Sequence, residues 1–249
     1  MTTLGEQVYV LRRKERDQVE VYDVITYHLQ HLLMVPNISG FTDMTSCEHF
    51  QCLYISDPVA KCVDRLDLGG NAAQWPVSDE PHSLSVTAAH NLLVTCRLVQ
   101  KIKEFSPRGD LLRDVTLPDD VINPWHAIQL TSGQFIVCHV GLGERVHRVC
   151  TVSADDREIV HSHGGQPGSD TGQYTPVHLA VDNNEFVLVA DVNNRRVTLL
   201  SPTLNYIRQV VSRDQLRRWP DKLCLDAQRR RLYVADGKYT GGRVVVFSV

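Results

Sequence analysis

The stretch Val187-Leu188-Val189-Ala190-Asp191 decides the predicted fold, because a short apolar run of this kind returns along the whole chain. The copies lie roughly 40 to 50 residues apart, a period typical of propeller blades and solenoid repeats. Six copies predict six repeating units. The other five are Val8-Tyr9-Val10, Leu53-Tyr54-Ile55-Ser56-Asp57, Leu92-Leu93-Val94-Thr95-Cys96, Ile136-Val137-Cys138 and Leu232-Tyr233-Val234-Ala235-Asp236.

A second strand follows each run after a short polar loop, and in it apolar and polar residues alternate. Two such strands joined by a polar turn form an antiparallel hairpin. Residues 175–212 contain all four strands of one unit, labelled a to d in chain order. These are Val177 to Val181, Phe186 to Ala190, Arg196 to Leu200 and Tyr206 to Val211. The sequence therefore predicts an all-β, six-bladed β-propeller of antiparallel four-stranded blades.

The exit of strand c strengthens the evidence for repetition, because Phe105-Ser106-Pro107 in the third unit matches Leu200-Ser201-Pro202 in the fifth. The two ends are less regular. The first unit shows strands b, c and d without an inner strand, and the last shows a, b and c and then stops at Val249. We therefore expect incomplete terminal blades, within a single domain spanning residues 1–249 that is a monomer or part of a larger multidomain chain.

Composition narrows the class of protein. The chain has 249 residues, a net charge of -3, 43% hydrophobic residues and seven cysteines without a C-x-x-C pair. This cysteine pattern argues against a zinc knuckle and a disulfide framework and fits a reducing compartment. No apolar run approaches the roughly 18 residues needed to cross a bilayer, and no basic segment followed by an apolar stretch opens the chain. We expect a cytoplasmic protein that does not contact membranes.

The fifth unit also carries a family resemblance. Its entry loop, from Gly164 to Pro176, reads Gly-Gly-Gln-Pro-Gly-Ser-Asp-Thr-Gly-Gln-Tyr-Thr-Pro, and is followed by Leu179-Ala180-Val181-Asp182, Val189-Ala190-Asp191 and Asn193-Asn194-Arg195-Arg196-Val197. This order resembles an NHL repeat. The sixth unit shares it, and the first four match more weakly, with Cys96 and Val140 in place of the closing Asp.

The NHL resemblance implies a six-bladed propeller of the kind that ends TRIM-type ubiquitin ligases and translational repressors. Those proteins also carry a RING, a B-box and a coiled coil, and none of these is visible in this sequence. Ubiquitin-ligase activity is therefore not expected of this chain. The resemblance also places ligands on the propeller face formed by the loops entering strand a and by the b–c loops, where some NHL propellers bind single-stranded RNA.

Three histidines on that face suggest a metal site. His126 and His178 each lie two residues after a Pro, and His82 is displaced by one position. Imidazoles converging on a channel suit zinc, and peptide-amidating lyases of this fold, by resemblance, hold zinc in a similar manner. A metal-dependent lyase or hydrolase is thus one hypothesis, although no G-x-S-x-G turn or other catalytic signature names its catalytic residues. The alternative is a polar channel lining, with each His bonded to backbone or water.

Cations suggest a binding rim instead. In the predicted blades the b–c loops and their edges place a cation of every blade on one rim, with aromatic side chains available for stacking. Such a rim could hold a protein or peptide, or single-stranded RNA. The sequence favours a non-enzymatic scaffold for a protein partner, with RNA as the alternative. The rim residues are Arg12, Arg13, Lys61, Arg97, Trp125, Arg145, Arg195, Arg196, Lys238 and Tyr239.

Three acidic residues close strand b in the second, fifth and sixth units. Asp57, Asp191 and Asp236 stand at the start of b–c turns, where Asx-type side-chain bonds commonly satisfy loop amides. We therefore predict a structural role for these carboxylates, rather than calcium binding or acid catalysis.

Overall fold

The computed structural model describes residues 1–12, 18–35, 38–40, 42–141, 147–155, 157–164, 174–237 and 242–249. These residues form six antiparallel sheets, each built from consecutive strands. The chain divides into two compact units, Met1–Val115 and Thr116–Val249. Each unit holds three of the sheets, which are numbered below as blades one to six.

The first unit contains blades one to three. In each, the four strands lie in chain order from the first strand to the last. The strands are β1 Thr2–Leu4, β2 Gln7–Arg12, β3 Gln18–Asp23, β4 Leu29–Met34, β5 Asp43–Cys47, β6 Cys52–Asp57, β7 Cys62–Asp67, β8 Ala72–Pro76, β9 Ser83–Val86, β10 Leu92–Cys96, β11 Lys101–Phe105 and β12 Leu111–Thr116.

The second unit contains blades four to six. Blades four and five have four strands, and the sheet of blade six has three, in the order β21-β22-β23. The strands are β13 Pro124–Gln129, β14 Phe135–His139, β15 Arg148–Val152, β16 Ile159–Gly164, β17 Pro176–Val181, β18 Val187–Asp191, β19 Arg196–Leu200, β20 Tyr206–Val211, β21 Pro220–Asp226, β22 Arg231–Asp236 and β23 Arg243–Ser248.

The architecture confirms the predicted six-bladed β-propeller. The helical segments in the described part of the chain are two short 3₁₀ turns, Arg97–Val99 and Arg213–Gln215. One expectation is corrected, because blade one has the inner strand that the sequence did not reveal. β1 pairs with β2 through Thr2 opposite Tyr9 and Leu4 opposite Gln7. At three residues this strand is too short to show an alternating pattern.

Burial explains why strand b carries the clearest repeat. All five residues of β18 are buried, whereas most of β20, the outer strand d of the same blade, is exposed. Strands a to c of neighbouring blades pack into shared apolar clusters. In the second unit Cys138 and Val149 of blade four contact Val189 and Leu200 of blade five in one such cluster. Each Val or Leu buried in this way stabilises the fold by about 1.5 to 3 kcal/mol.

The two c–d turns that match in sequence also have the same backbone geometry. In both 106–110 and 201–205, the first amide donates to the fifth carbonyl at 2.8 Å and the fourth amide donates back to the first carbonyl. The fourth residue is left-handed in each turn, Gly109 with φ +93° and Leu204 with φ 59°. At Gly109 a Cβ would stand 2.6 Å from the ring of Trp75, so glycine is required there for space as well.

The cysteines are not joined in disulfides. All seven are free thiols; six are buried and Cys224 is half-buried. In the part of the chain that the structure covers, no helix has the length and apolar character needed to cross a bilayer.

Candidate functional site

The b–c turns of three blades share one backbone frame. Strands b and c are joined by four-residue loops, with Asp57 opposite Cys62, Cys96 opposite Lys101 and Asp191 opposite Arg196. The last loop residue is left-handed in each turn, at φ 50°, 55° and 50° for Lys61, Gln100 and Arg195. Differences between these turns therefore lie in the side chains that a common frame presents.

Blade five uses its turn to satisfy a buried carboxylate. Asp191 accepts hydrogen bonds from the Thr175 amide at 2.9 Å, from Asn194 Nδ2 at 2.7 Å and from Arg196 Nε at 2.8 Å. The carboxylate is fully buried, so these donors replace the water it loses on folding. The predicted structural role of Asp191 is confirmed.

Blade six repeats the arrangement with Asp236. This carboxylate accepts bonds from the Arg217 and Arg218 amides, at 2.8 and 2.7 Å, and from Arg243 Nε at 2.9 Å. Burial alone would raise the pKa of Asp236, but the bond from Arg243 and the two amide bonds together hold that pKa below its ordinary value. The charged form is therefore favoured in the folded protein.

Blade two satisfies its carboxylate without arginine. Asp57 accepts bonds from four amides, two in the loop entering strand a and two in the b–c turn itself, at 2.6 to 3.1 Å. Cys62 stands where blade five has Arg196. Burial and the nearby carboxylates of Asp64 and Asp57 raise the pKa of this thiol to about 12, so the position is uncharged.

The third position of the turn, counted from the last residue of strand b, distinguishes the blades most clearly. In blade five Asn193 occupies it, and its amide nitrogen donates to Thr175 Oγ1 at 2.7 Å. Blades two and three instead place Val59 and Leu98 there, with exposed fractions of 69% and 68%. These are the two most exposed large hydrophobic residues in the described chain. Because β9 of blade three contacts β5 and β6 of blade two, the two turns belong to neighbouring blades of one compact unit.

Two of the rim cations predicted from the sequence are engaged in ion pairs. Arg12 Nε lies 2.9 Å from Glu20, and Arg196 Nε lies 2.8 Å from Asp191. Lys61 is exposed beside Val59, and Arg195 is half-buried. These pairs reduce the charge available for a polyanion at two of the predicted positions.

The remaining rim residues have different surroundings. Arg97 is half-buried immediately before Leu98, and burial lowers the pKa of its guanidinium. Trp125 is half-buried and packs against the apolar clusters of the second unit, which limits its use as a stacking surface. Arg13, Arg145, Lys238 and Tyr239 lie outside the described residues.

Two of the three predicted metal-site histidines come together. His126 on β13 and His178 on β17 are buried, and their rings stack with centroids 3.9 Å apart and planes inclined by 23°. Each follows a bulge after its Pro, which sets the same register in both strands. His82 lies in the first unit, where its backbone amide donates to the Thr95 carbonyl.

A backbone contact of His178 bears on metal binding. Its Nδ1 accepts the Leu223 amide of the next blade at 3.3 Å. A neutral imidazole whose Nδ1 accepts carries its proton on Nε2, so Nε2 is a donor rather than a metal ligand in this arrangement. The contact fits the alternative prediction of a polar lining bonded to backbone.

His139, at the end of strand b in blade four, is structural. Its Nε2 accepts a hydrogen bond from Arg148 Nε at 3.0 Å, and Arg148 also pairs with Asp120. Burial, then the charge of Arg148, lowers the pKa of His139 to about 4. The ring is therefore neutral near pH 7 and serves as an acceptor.

Lys222 is an inner-strand residue that sequence reasoning missed. It follows Pro220 by two residues in β21 and sits after the same kind of bulge as His126 and His178. The three consecutive inner strands of the second unit thus carry His, His and Lys at one register. The pattern Pro-x-basic, which Lys222 shares with His126 and His178, is the sequence signal that identifies it.

The sequence matches no protein-family model and no curated protein sequence. Solved structures do resemble the chain. Hydrazine synthase of Kuenenia stuttgartiensis shares 13% identity, with 100% of this chain and 94% of that chain covered and a TM-score of 0.70. A streptogramin B lyase shares 16%, covering 87% and 71%, with a TM-score of 0.62. A catalytically inactive histidine-to-alanine variant of virginiamycin B lyase from Staphylococcus aureus, with quinupristin, shares 9%, covering 96% and 82%, with a TM-score of 0.63. At these identities the likeness concerns the fold.

Proposed function

We propose that this protein is a binding module whose b–c turns of blades two and three hold a protein or peptide segment. The observation that carries the proposal is the pair Val59 and Leu98, exposed at the same position of neighbouring turns. An NHL-type propeller, the resemblance drawn from the fifth unit, would use this edge of its blades in the same way.

The chemistry of the segment follows from what surrounds the two side chains. Covering a Val or Leu side chain favours association by about 1.5 to 3 kcal/mol before ordering costs are subtracted. Lys61 follows Val59 by two residues, and Arg97 directly precedes Leu98. A segment with apolar side chains flanked by carboxylates would complement both the apolar contacts and the cations.

A transplant between turns tests this proposal. The double variant Val59→Asn and Leu98→Asn gives blades two and three the residue that blade five carries, in a frame that already accepts it. The matched control is Leu111→Asn, which changes an exposed apolar residue on the outer strand of blade three. Peptides selected from a displayed random library on the wild-type protein should bind the control with unchanged affinity and lose on the order of tenfold or more on the double variant.

Two results would count against the proposal. Selected peptides that bind the double variant and the wild type equally would show that these turns are not the site. Single-stranded RNA oligonucleotides added to the same protein form the other arm. Salt-sensitive RNA binding that is lost on Arg195→Glu would favour a nucleic-acid module.

A second candidate function is metal-dependent lyase or hydrolase chemistry. It is favoured by the stacked pair of His126 and His178 and by the fold shared with a streptogramin B lyase and a virginiamycin B lyase. Zinc bound through His178 Nε2 would require the proton to move to Nδ1 and the Leu223 bond to break. Elemental analysis of the untagged protein tests this candidate. About one zinc per chain, lost in His126→Ala, would support it, and a metal-free chain after zinc dialysis would end it.

A further inference from the structure

The loops that lead from one blade into strand a of the next differ in the sign of their charge. Three of these entry loops are described in full, namely 77–82, 117–123 and 212–219. The first two each contain two acidic residues and no Lys or Arg, which gives a formal charge of -2 with His neutral. The entry loop of blade six contains three Arg and one Asp, which gives +2. Its cations are Arg213, Arg217 and Arg218.

The acidic entry loops use their charge within the protein. Asp79 lies 3.2 Å from Nζ of the buried Lys103, and Asp120 forms an ion pair with Arg148. The three arginines of blade six differ, because among the described residues their guanidinium groups form no hydrogen bond and no ion pair. The charge of this loop is therefore not neutralised by the residues around it.

The fold holds the backbone that carries two of these arginines. The Asp236 carboxylate accepts the amides of Arg217 and Arg218, at 2.8 and 2.7 Å. A Cβ added at Gly237 would lie 2.6 Å from Cδ of Arg218, so the alkyl stem of that arginine packs against the glycine. These contacts involve backbone amides and one stem, and neither guanidinium group takes part in them. The loop therefore presents two neighbouring guanidinium groups from a fixed backbone, which lowers the ordering cost of binding.

We propose that the entry loop of blade six binds the phosphate group of a phosphorylated peptide segment in a partner protein. A phosphorylated side chain carries a charge of about -1.5 to -2 near pH 7 and three strong acceptor oxygens. Guanidinium groups match this group, because each can donate two parallel hydrogen bonds to it. Arg217 and Arg218 contact the phosphate, and Arg213 adds a third positive charge from the same loop. Clusters of arginine recognise phosphorylated segments in this way.

Two observations favour a peptide over other carriers of phosphate. Arg213 and Arg217 are exposed, so the site is an open surface, whereas small molecules bind in concave pockets that bury most of the ligand. The three arginines also lie within the short segment 213–218. This span fits one phosphate group better than a nucleic-acid backbone, whose binding uses cations spread along several phosphates.

Short synthetic peptides with a fixed central phosphoserine, phosphothreonine or phosphotyrosine and random flanking residues are the probe. Arrays of these peptides are incubated with the intact protein, beside matched arrays that carry the unphosphorylated residue or Glu at the centre. The strongest phosphorylated binder is then measured by fluorescence anisotropy. We expect it to bind on the order of tenfold or more tightly than its unphosphorylated and Glu-substituted versions.

Variants of the two arginines locate the binding. Arg217→Gln with Arg218→Gln keeps the amides that bond to Asp236 and should lower phosphopeptide affinity on the order of tenfold or more. The matched control, Arg108→Gln with Arg208→Gln, removes the same charge from two exposed positions outside the loop and should bind like the wild type. Urea midpoints check that each variant is folded. If the double variant unfolds, Arg217→Gln alone should still weaken binding several-fold, because its exposed side chain makes no contact that the fold requires.

Several results would overturn the proposal. Phosphorylated peptides that bind no better than their unphosphorylated or Glu-substituted versions would exclude phosphate recognition. Wild-type affinity in Arg217→Lys with Arg218→Lys would reduce the effect to general charge attraction, because lysine keeps the charge and loses the planar fork. Salt-sensitive binding of a fluorescein-labelled oligouridylate, tighter than that of any phosphopeptide and lost in the double Gln variant, would assign the loop to nucleic acid.

The site is separate from the turns of blades two and three. Val59→Asn with Leu98→Asn changes only the first unit, so this variant should bind the phosphopeptide with unchanged affinity. Loss of phosphopeptide binding in that variant, with normal binding in the Arg217→Gln and Arg218→Gln variant, would place phosphate recognition elsewhere and overturn the proposal. Failure of the peptide proposal for Val59 and Leu98 leaves this test unaffected.

Discussion

The b–c turn of blade five and those of blades two and three share one backbone frame and use it differently. In blade five the turn bonds to the protein itself, with Arg196 donating to the buried Asp191 and Asn193 donating to Thr175. In blades two and three the same third position carries Val59 and Leu98, which are directed to solvent. The three turns therefore share a backbone and differ in whether the side chain at this position bonds to the protein or faces solvent.

The comparison extends to the inner strands of the two units. In the first unit Asp43 Oδ2 accepts the Leu84 amide of the next blade at 3.0 Å. In the second unit His178 Nδ1 accepts the Leu223 amide of the next blade at 3.3 Å. A carboxylate and an imidazole therefore have the same role: each joins two neighbouring blades by accepting one hydrogen bond from a backbone amide. Asp43 and His178 therefore each have a structural role within their own unit.

Removing the carboxylate of blade five should have the largest effect. Asp191→Ala leaves three donors, one of them a guanidinium, without their buried acceptor, and should lower the free energy of unfolding by about 2 to 3 kcal/mol. Urea unfolding followed by circular dichroism measures this as a lower midpoint. The control is Asp182→Ala, which removes an acceptor of two amides in the more exposed a–b turn of the same blade. Equal losses of stability in the two variants would contradict the larger contribution expected of the buried Asp191 carboxylate.

The pH dependence of two buried carboxylates should run in opposite directions. The pKa of Asp236 is lowered in the folded state. Its ionised carboxylate therefore stabilises the fold above the unfolded-state pKa of about 3.9, and this stabilisation is lost as pH falls below that value. The pKa of Asp64 is raised, chiefly by burial, so the folded state loses stability as pH rises through the unfolded pKa toward the folded one.

The corresponding amide variants check these signs. Asp236→Asn should be less stable than the wild type at pH 7, and the difference should shrink below about pH 4. Asp64→Asn should compare more favourably with the wild type at pH 7 than at pH 3, because the variant has no buried charge to form. Thermal unfolding of both variants at the two pH values is the measurement, and pH-independent differences would mean that neither charge contributes through its shifted pKa.

The strands of this fold were predictable because burial imposes a pattern that the sequence must carry. β18 is buried over its whole length, so its five residues stand out, and the c–d turns were recognised from Ser and Pro at fixed positions. β1 was not predicted, because a strand of three residues is too short to show an alternating pattern. The NHL resemblance and the assignment to one domain stay predictions, while the propeller that the resemblance implied is confirmed.

The candidate sites were harder to predict because charge in a sequence carries no information about its partner. The sequence predicts Arg12 and Arg196 to be rim cations, but in the structure they form ion pairs with Glu20 and Asp191. The meeting of His126 and His178 followed from their equal offset after Pro, since equal offsets in neighbouring strands give equal register. Exposure of Val59 and Leu98 had no sequence signal at all. Apolar residues in a turn become informative only when an equivalent turn shows what a purely structural version contains.

The smallest effect on stability is expected when blade five receives the residue that blade two has at the third position of its turn. Asn193→Val gives that turn the residue of blade two and removes one exposed hydrogen bond to Thr175, so the free energy of unfolding should fall by only about 0.5 kcal/mol. Urea midpoints of this variant and the wild type provide the measurement. A loss of stability comparable with that of Asp191→Ala would mean that the third position is part of the hydrogen-bond network around Asp191. In that case the residue at the third position would affect the stability of the turn. The exposure of Val59 and Leu98 would then reflect a different turn structure rather than a binding surface.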